Sequence, residues 1–367
     1  MTAAEIPKTM KAAQVVEFNK PYVINTVPVP TDLGPLDILV KIAVASYCHT
    51  DTVVQMGYLP VGLPLTASHE GSGTVVAVGS SVTNFKPGDR AMCGVPLGLC
   101  GECAECTGPE NYTHYCTKQK GILGIQVDGC FAEYVRADSR TSVLIPGSVS
   151  LLSAAPLACA GRSAWRGVLQ AGLEKGQWLA FVGSGGGLGH LGIQMAKDLG
   201  LRVIGIDVRD EGLELSRKSG ADVVLDAREG NAEVVSKLQE ATGGVLADAT
   251  VNLADADQAA GLACAVTKMH GTMHQLAQPA EVKIPFMELI LRNIKVRGSL
   301  TCSRGETVTM VEHIEKHGIK LENNIFHGLD KIHEALELVH SGKISGKAVI
   351  IVDEEQVEND KKTGTKY

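Results

Sequence analysis

The chain has 367 residues, 44% of them hydrophobic, with 34 Lys and Arg against 41 Asp and Glu and a net charge of −7. That length favours two domains and that composition supplies two buried cores, which excludes a wholly disordered chain. With no basic patch longer than Lys361-Lys362 and no apolar run of about 20 residues, neither nucleic acid nor a bilayer is an expected partner.

Residues Met1 to Met10 include Glu5, Pro7 and Lys8 and hold no apolar run, so no secretory leader is read there. The ten cysteines are then expected in a reducing compartment, serving metals rather than disulfides, which points to the cytoplasm. Residues 1–159 read as a β-rich module of short strands, such as Ile38 to Ala45, Gly73 to Val78 and Phe131 to Arg136, joined by long loops. From Trp178 the rhythm changes to alternating strands and amphipathic helices: strand Trp178 to Val182, helix Leu188 to Leu199, strand Arg202 to Asp207, helix Glu211 to Ser219, strand Asp222 to Leu225. Further strands are expected at Ala247 to Asn252, Thr272 to Ala277 and Ile294 to Ser299. That alternation predicts an α/β, doubly wound parallel sheet over 160–299. Residues 300–367, with helices Glu306 to Lys316 and Lys331 to Ser341 and strand Lys347 to Val352, are expected to return to the first domain. The polar tail from Asp353 is expected to fray.

Four cysteines crowd residues 100–116, CGECAECTGPENYTHYC. Cys100, Cys103 and Cys106 recur at a spacing that lets a tight reversal aim three thiolates at one tetrahedral ion, and Cys116 can fold back as the fourth. His114 competes for that place. The lobe, about residues 93–120, reads as a structural zinc site. A second, catalytic zinc would keep three protein ligands and an open position, and Cys48, His69 and Cys159 are its candidates from separated segments.

After the strand ending at Val182 comes Gly183-Ser184-Gly185-Gly186-Gly187-Leu188-Gly189, leading into a helix. Glycines let the backbone approach a pyrophosphate whose charge the helix N-terminus meets. Asp207 ends the next strand 18 residues beyond Gly189. A carboxylate there can accept both adenosine-ribose hydroxyls and repel a 2′-phosphate, so NAD is preferred, although Arg209 close by leaves NADP possible.

Over nearly its whole length the chain resembles the zinc-dependent medium-chain alcohol dehydrogenases, closest to the fungal, yeast-type branch. The resemblance rests on CHTD at 48–51, HEGSGTVVAVG at 69–79, KPGDR at 86–90, the four-cysteine lobe, AAPLACAG at 154–161 and GGGLGHLGIQMAK at 185–197. It implies a GroES-like β-rich catalytic domain, a Rossmann domain, and two zinc ions per subunit. Cys48, His69 and Cys159 would bind zinc in the cleft. Thr50 would hydrogen-bond the substrate oxygen, Asp51 would orient His69, and Glu70 would stand behind the metal as an exchange ligand. His49 and Lys347 would contact the NAD pyrophosphate, and Ser163 would lie near the nicotinamide. The activity implied is hydride transfer between a primary alcohol or aldehyde and NAD(H), in a homotetramer or dimer built on edge strands around Thr272 to Ser299.

The chain departs from that pattern. Val53 stands where yeast-type enzymes carry a proton-relaying histidine, and Val95 where small-alcohol enzymes narrow the pocket with tryptophan. Tyr58 is a candidate for the other pocket aromatic. The two tryptophans, Trp165 and Trp178, align with no pocket wall. A pocket wider than ethanol needs is therefore expected, for a bulkier substrate, aromatic ones included, such as fungal secondary metabolism uses. Arg162 replaces an apolar residue and is expected to pair with an acid at the domain interface or, less favoured, to meet a substrate carboxylate. Alternatives are a zinc-binding protein of this fold without redox turnover, such as a lyase or binding module, and a polyol dehydrogenase.

Overall fold

The computed structural model describes residues 6–366. The leaderless reading of residues 1–5, and Tyr367, lie outside it.

The strand Asp37–Ser46 shows why the first part folds as it does. Nine of its ten residues are buried, so it has no solvent face. A strand of that kind needs partners on both edges and cover on both faces. It finds antiparallel partners in Glu70–Val78, Tyr134–Asp138 and Lys347–Ile351. Register shifts at Leu39/Val40 and Ile42/Val44 bend it between them. Arg90–Met92, Val143–Leu144 and Asn323–His327 complete a seven-stranded sheet. The segment Lys347–Ile351, some 300 residues downstream, is thus an internal strand of the first sheet.

The second sheet has six strands, parallel throughout, in the spatial order Val223–Asp226, Arg202–Asp207, Trp178–Val182, Ala247–Asn252, Thr267–Gln275 and Lys295–Gly298. Trp178–Val182 is buried at all five positions, and chain order reverses on its two sides. In such sheets the crevice beyond the carboxyl ends of the central strands takes the ligand. The architecture is a GroES-like β domain joined to a Rossmann-like parallel sheet.

Trp178–Val182, Arg202–Asp207 and Ala247–Asn252 have the limits the pattern predicts. Helix Ala259–Val266 went unpredicted because its sequence, AAGLACAV, is apolar on every side and buried at seven of eight positions, leaving no helical period to read.

The tail does not fray. Residues Glu354–Lys362 form a helix that Asp353 caps by accepting from the Gln356 amide at 3.2 Å. Two contacts invisible in the sequence hold it: buried Val357, and buried Asp360, which accepts from the Leu151 amide at 2.8 Å and pairs with Arg90 at 2.6 Å. Removing one partner of such a pair strands the other. Asp360→Ala is expected to lower stability by about 2–3 kcal/mol, read as a lower urea midpoint with the m-value unchanged. A shift no larger than that of an exposed control such as Glu358→Ala would remove the helix from the structural core.

Candidate active site

Cys48 ends the run that follows the strand Asp37–Ser46 and stands at the N-cap of the short helix His49–Gln55. Asp51, fully buried in that helix, accepts from the Cys48 amide at 2.9 Å and from the Ser68 amide at 3.0 Å. One carboxylate therefore ties the two segments that carry Cys48 and His69. Ser68 takes φ +70°, a strained value for a residue with a side chain, and its hydroxyl donates to the Ser46 carbonyl at 2.9 Å. Asp51 Oδ1 lies 4.0 Å from His69 Nδ1, a charge contact rather than a hydrogen bond. Burial pushes the Asp51 carboxyl up to about 6, against the pull of His69.

Cys159 comes from the other side, on the π-turn Leu157–Gly161 between helices Leu151–Pro156 and Arg162–Ala171. Such turns are rare and cluster at functional sites. This one also lets the Ala160 amide donate to Glu70 Oε1 at 3.1 Å.

Cys48, His69, Glu70 and Cys159 place one donor atom each within 4.8 Å of one another. His69 Nδ1 is buried with no hydrogen-bond partner. The Cys48 thiol is held well below its ordinary value, first by its hydrogen bond with Cys159 and then by His69. Two thiols, an imidazole and a carboxylate, converging and partly orphaned, fit a zinc ion.

Glu70 has a second partner. Lys347 Nζ lies 2.7 Å from Glu70 Oε2 and donates to the Tyr47 carbonyl at 2.7 Å. Burial alone would lower the Lys347 pKa, but Glu70 and then Cys48 outweigh it and raise it. The lysine expected at the pyrophosphate therefore sits with its ammonium at the metal cluster. Its stem passes beneath the glycine loop, where a Cβ on Gly187 would meet Lys347 Cδ at 2.6 Å.

In the lobe, Cys100, Cys103, Cys106 and Cys116 converge in the same way. Sulfur separations of 3.9 Å for Cys100–Cys106, 3.8 Å for Cys103–Cys116 and 3.6 Å for Cys100–Cys116 are far too long for disulfides. They match the edge of about 3.8 Å that a tetrahedron with Zn–S bonds of about 2.3 Å requires. The 3₁₀ helix Glu110–Tyr115 takes up the longer gap and presents Cys116, while His114 turns inward and packs against Tyr115 at 4.4 Å.

Between the two sheets, Cys48, His49, Thr50, Cys159, Ser163, Gly183, Gly186, Gly187, Leu188 and Lys347 line a cleft of ≈ 290 Å³. It continues past Gly183, Gly186 and Asp255 into a second cavity of ≈ 560 Å³ lined by Asp207, Arg209 and Asn231. Gly183, at φ +82°, makes the turn that only glycine makes freely. Ser184, Gly185 and Gly189 do not face the cleft: Ser184 is buried against the Ser216 hydroxyl at 2.7 Å. Cβ atoms on Gly185 and Gly189 would strike backbone at 2.0 and 2.2 Å, so those two glycines serve close packing. Asp207 accepts from the Gly185 amide at 2.9 Å. Arg209 is turned onto the carbonyls of Gly185 and Ile344, at 3.2 and 3.0 Å. His49 spans the cleft to Asp255 at 3.3 Å. Asp255, Asn231 and the Leu276-Ala277-Gln278 segment were not predicted, since they carry no motif and only the sheet order brings them here.

The family model for the alcohol dehydrogenase GroES-like domain matches residues 34–147, and that for the zinc-binding dehydrogenases matches residues 187–316. An alcohol dehydrogenase of Rhizobium meliloti is 36% identical over 93% of this chain and 98% of its own length. Alcohol dehydrogenase 1 of Emericella nidulans is 34% identical over 94% of this chain and 99% of its own. The crystal structure of an Aeropyrum pernix alcohol dehydrogenase superposes with a TM-score of 0.85 at 31% identity, covering 93% of this chain and 99% of that one. The chain belongs to the zinc-dependent medium-chain alcohol dehydrogenases. It is an oxidoreductase whose groups are zinc and a nicotinamide nucleotide. Bacterial and fungal members are about equally similar to it, so the similarity shows the family without choosing a branch.

Arg162 does not pair with an interface acid. It is buried, its Nη2 donates to the Cys302 carbonyl at 2.5 Å, and the Cys302 thiol donates back to the Arg162 carbonyl at 3.0 Å. Of the acids near it, Glu306 pairs with Arg166 and Glu110 accepts from the Gly305 amide at 2.9 Å. Tyr58 is 76% exposed and lines neither cavity of the cleft. Trp165 stacks on His313, and Trp178 lies under the Arg202 guanidinium at 3.8 Å.

Two of the buried histidines show how burial sets an acid limit on this dehydrogenase. Burial lowers both His190 and His274 to about 4, while an unfolded histidine titrates near 6.5. Below pH of about 6.5 the unfolded chain takes up protons that the folded chain refuses, so stability is complete above that value and falls as pH drops toward 4. Each site is expected to lose roughly 1.4 kcal/mol per pH unit within that window. Urea titrations at pH 7, 6, 5 and 4 check it. His274→Asn should flatten the slope, and an unchanged slope would clear His274 of the effect.

Proposed function

We propose that this dehydrogenase transfers hydride between NAD(H) and a primary alcohol or aldehyde bulkier than ethanol. The observation that carries the reading is the single cleft in which the Cys48, His69 and Cys159 cluster and the Thr50 hydroxyl open beside Gly186 and Gly187, with no tryptophan on its wall.

In this reading Cys48, His69 and Cys159 hold one zinc, and Cys100, Cys103, Cys106 and Cys116 the other. A zinc held in the cleft would supply a Lewis acid for the substrate oxygen. Thr50 Oγ1, 3.8 Å from Cys48 Sγ, hydrogen-bonds the substrate oxygen. Asp51 keeps Cys48 and His69 in register through the two amides it accepts. Lys347 neutralises Glu70 and, through its stem under Gly187, links it to the pyrophosphate loop. Gly186, Gly187 and Leu188 receive the pyrophosphate with His49, Ser163 flanks the nicotinamide, and Asp207 takes the ribose. Arg209, engaged with carbonyl oxygens, is not free for a 2′-phosphate, which supports NAD over NADP. Val53 cannot titrate, so the proton relay stops at the cofactor ribose or passes on through water or another base. Self-association is supported by Phe286, Ile290 and Leu291, 67%, 70% and 60% exposed, beside the unpaired edge of strand Lys295–Gly298. A cytoplasmic site fits ten unbridged cysteines.

A panel of alcohols and aldehydes, read by nicotinamide absorbance with NAD(H) and NADP(H) in parallel, tests the assignment. Benzyl-type alcohols should exceed ethanol in kcat/KM, and NAD should exceed NADP. The substrate reading is overturned by a higher value for ethanol, and the redox reading by stoichiometric zinc without turnover on any member.

Zinc content separates the two clusters. The purified protein should carry two equivalents, and Cys159→Ser should lose one together with more than about 100-fold of activity. Cys116→Ser should lose the other along with thermal stability. Retention of both equivalents in either variant would refute that ligand set.

A further inference from the structure

Away from the cleft, the helix Arg304–His317 carries His313 and His317 four residues apart, on one face. Their rings lie tilted by 32° with centroids 4.4 Å apart, and the Trp165 ring lies 4.9 Å from that of His313. Opposite them stands Asp198, the last residue of helix Gly189–Asp198. Its Oδ2 lies 3.8 Å from His313 Nε2 and 4.0 Å from His317 Nδ1, so one carboxylate oxygen faces a nitrogen of each ring. His313 Nε2 is buried and has no hydrogen-bond partner.

The electrostatics here favour an added cation. A carboxylate at a helix C-terminus meets the negative end of the dipole. Helix Arg304–His317 ends at the same place, so two negative helix ends and a carboxylate converge, with Lys316 the cation beside His313.

We propose that His313, His317 and Asp198 form a third metal site, for a divalent ion of the zinc class, that clamps the two helices together. Two imidazoles and a carboxylate suit zinc, nickel or copper and not the hard cations. Bonds of about 2.0–2.1 Å to a tetrahedral ion set donor edges of about 3.3 Å; the two edges from Asp198 are 3.8 and 4.0 Å, and the two imidazoles must draw together before all three donors lie within 4.8 Å. Among the described residues the donors already gathered within 4.8 Å are those of the two cysteine clusters. The third site therefore closes on its ion, by rotation of the exposed His317, and water completes the coordination. With no thiolate and an open position, it binds more weakly than the two sites of the family chemistry and exchanges its ion.

The test uses the whole protein, dialysed until its zinc content is constant and then titrated calorimetrically with Zn2+. One further saturable equivalent is expected, with a rise in melting temperature at saturation. His317→Ala and Asp198→Asn should each abolish both effects. They should leave the dialysed zinc content, the metal-free melting temperature and any alcohol turnover unchanged. His327→Ala, which removes a surface histidine paired with Glu354 elsewhere, should keep both effects. Absence of uptake beyond the dialysed content overturns the proposal, and so does a further equivalent that survives His317→Ala.

Discussion

The active site depends on one buried carboxylate. Glu70 accepts from the Ala160 amide and pairs with Lys347, so it joins three segments that are far apart in the chain: the strand Glu70–Val78, the π-turn holding Cys159 and the strand Lys347–Ile351. A buried ion pair adds little to stability compared with a well-packed apolar pair, but losing one member leaves the other charge uncompensated. Burial raises Glu70 to about 7 against the pull of Lys347, so the carboxylate keeps its charge only while the lysine stays. Position rather than stability is what this pair supplies. Cys159 reaches Cys48 and His69 because the turn that carries it is fastened to Glu70.

Asp51 does for the other two candidate ligands what Glu70 does for Cys159. Its two amide donors, from Cys48 and Ser68, set the distance between the 48–51 turn and the 68–69 segment, and Ser68 keeps a left-handed backbone within that frame. The cluster is therefore assembled by backbone groups bonded to buried acids.

Much of this was legible in the sequence. Strands that are buried on both faces, such as Trp178–Val182, announce themselves as short apolar runs, and cysteines at fixed short spacing announce a tetrahedral site. What the sequence hid depends on contacts across long separations. The tail read as frayed because its polar composition says nothing of Arg90 and the Leu151 amide waiting for Asp360. Lys347 read as a pyrophosphate ligand because only the folded chain brings Glu70 within 2.7 Å of it. Arg162 read as half of an ion pair, since a buried guanidinium bonded to a carbonyl is a rare solution that no local pattern signals. Asp255 and Gln278 reach the cleft through sheet order alone.

The central strand Asp37–Ser46 has Lys347–Ile351 as one of its neighbours. During synthesis that neighbour leaves the ribosome after every strand of the second sheet, so the first sheet waits with an open, apolar edge while the second, parallel sheet can already close upon itself. An unpaired edge of buried character is a template for the wrong partner. The domain made first is thus the one finished last, and the growing chain's exposure to misassembly is set by how long it takes to reach Lys347.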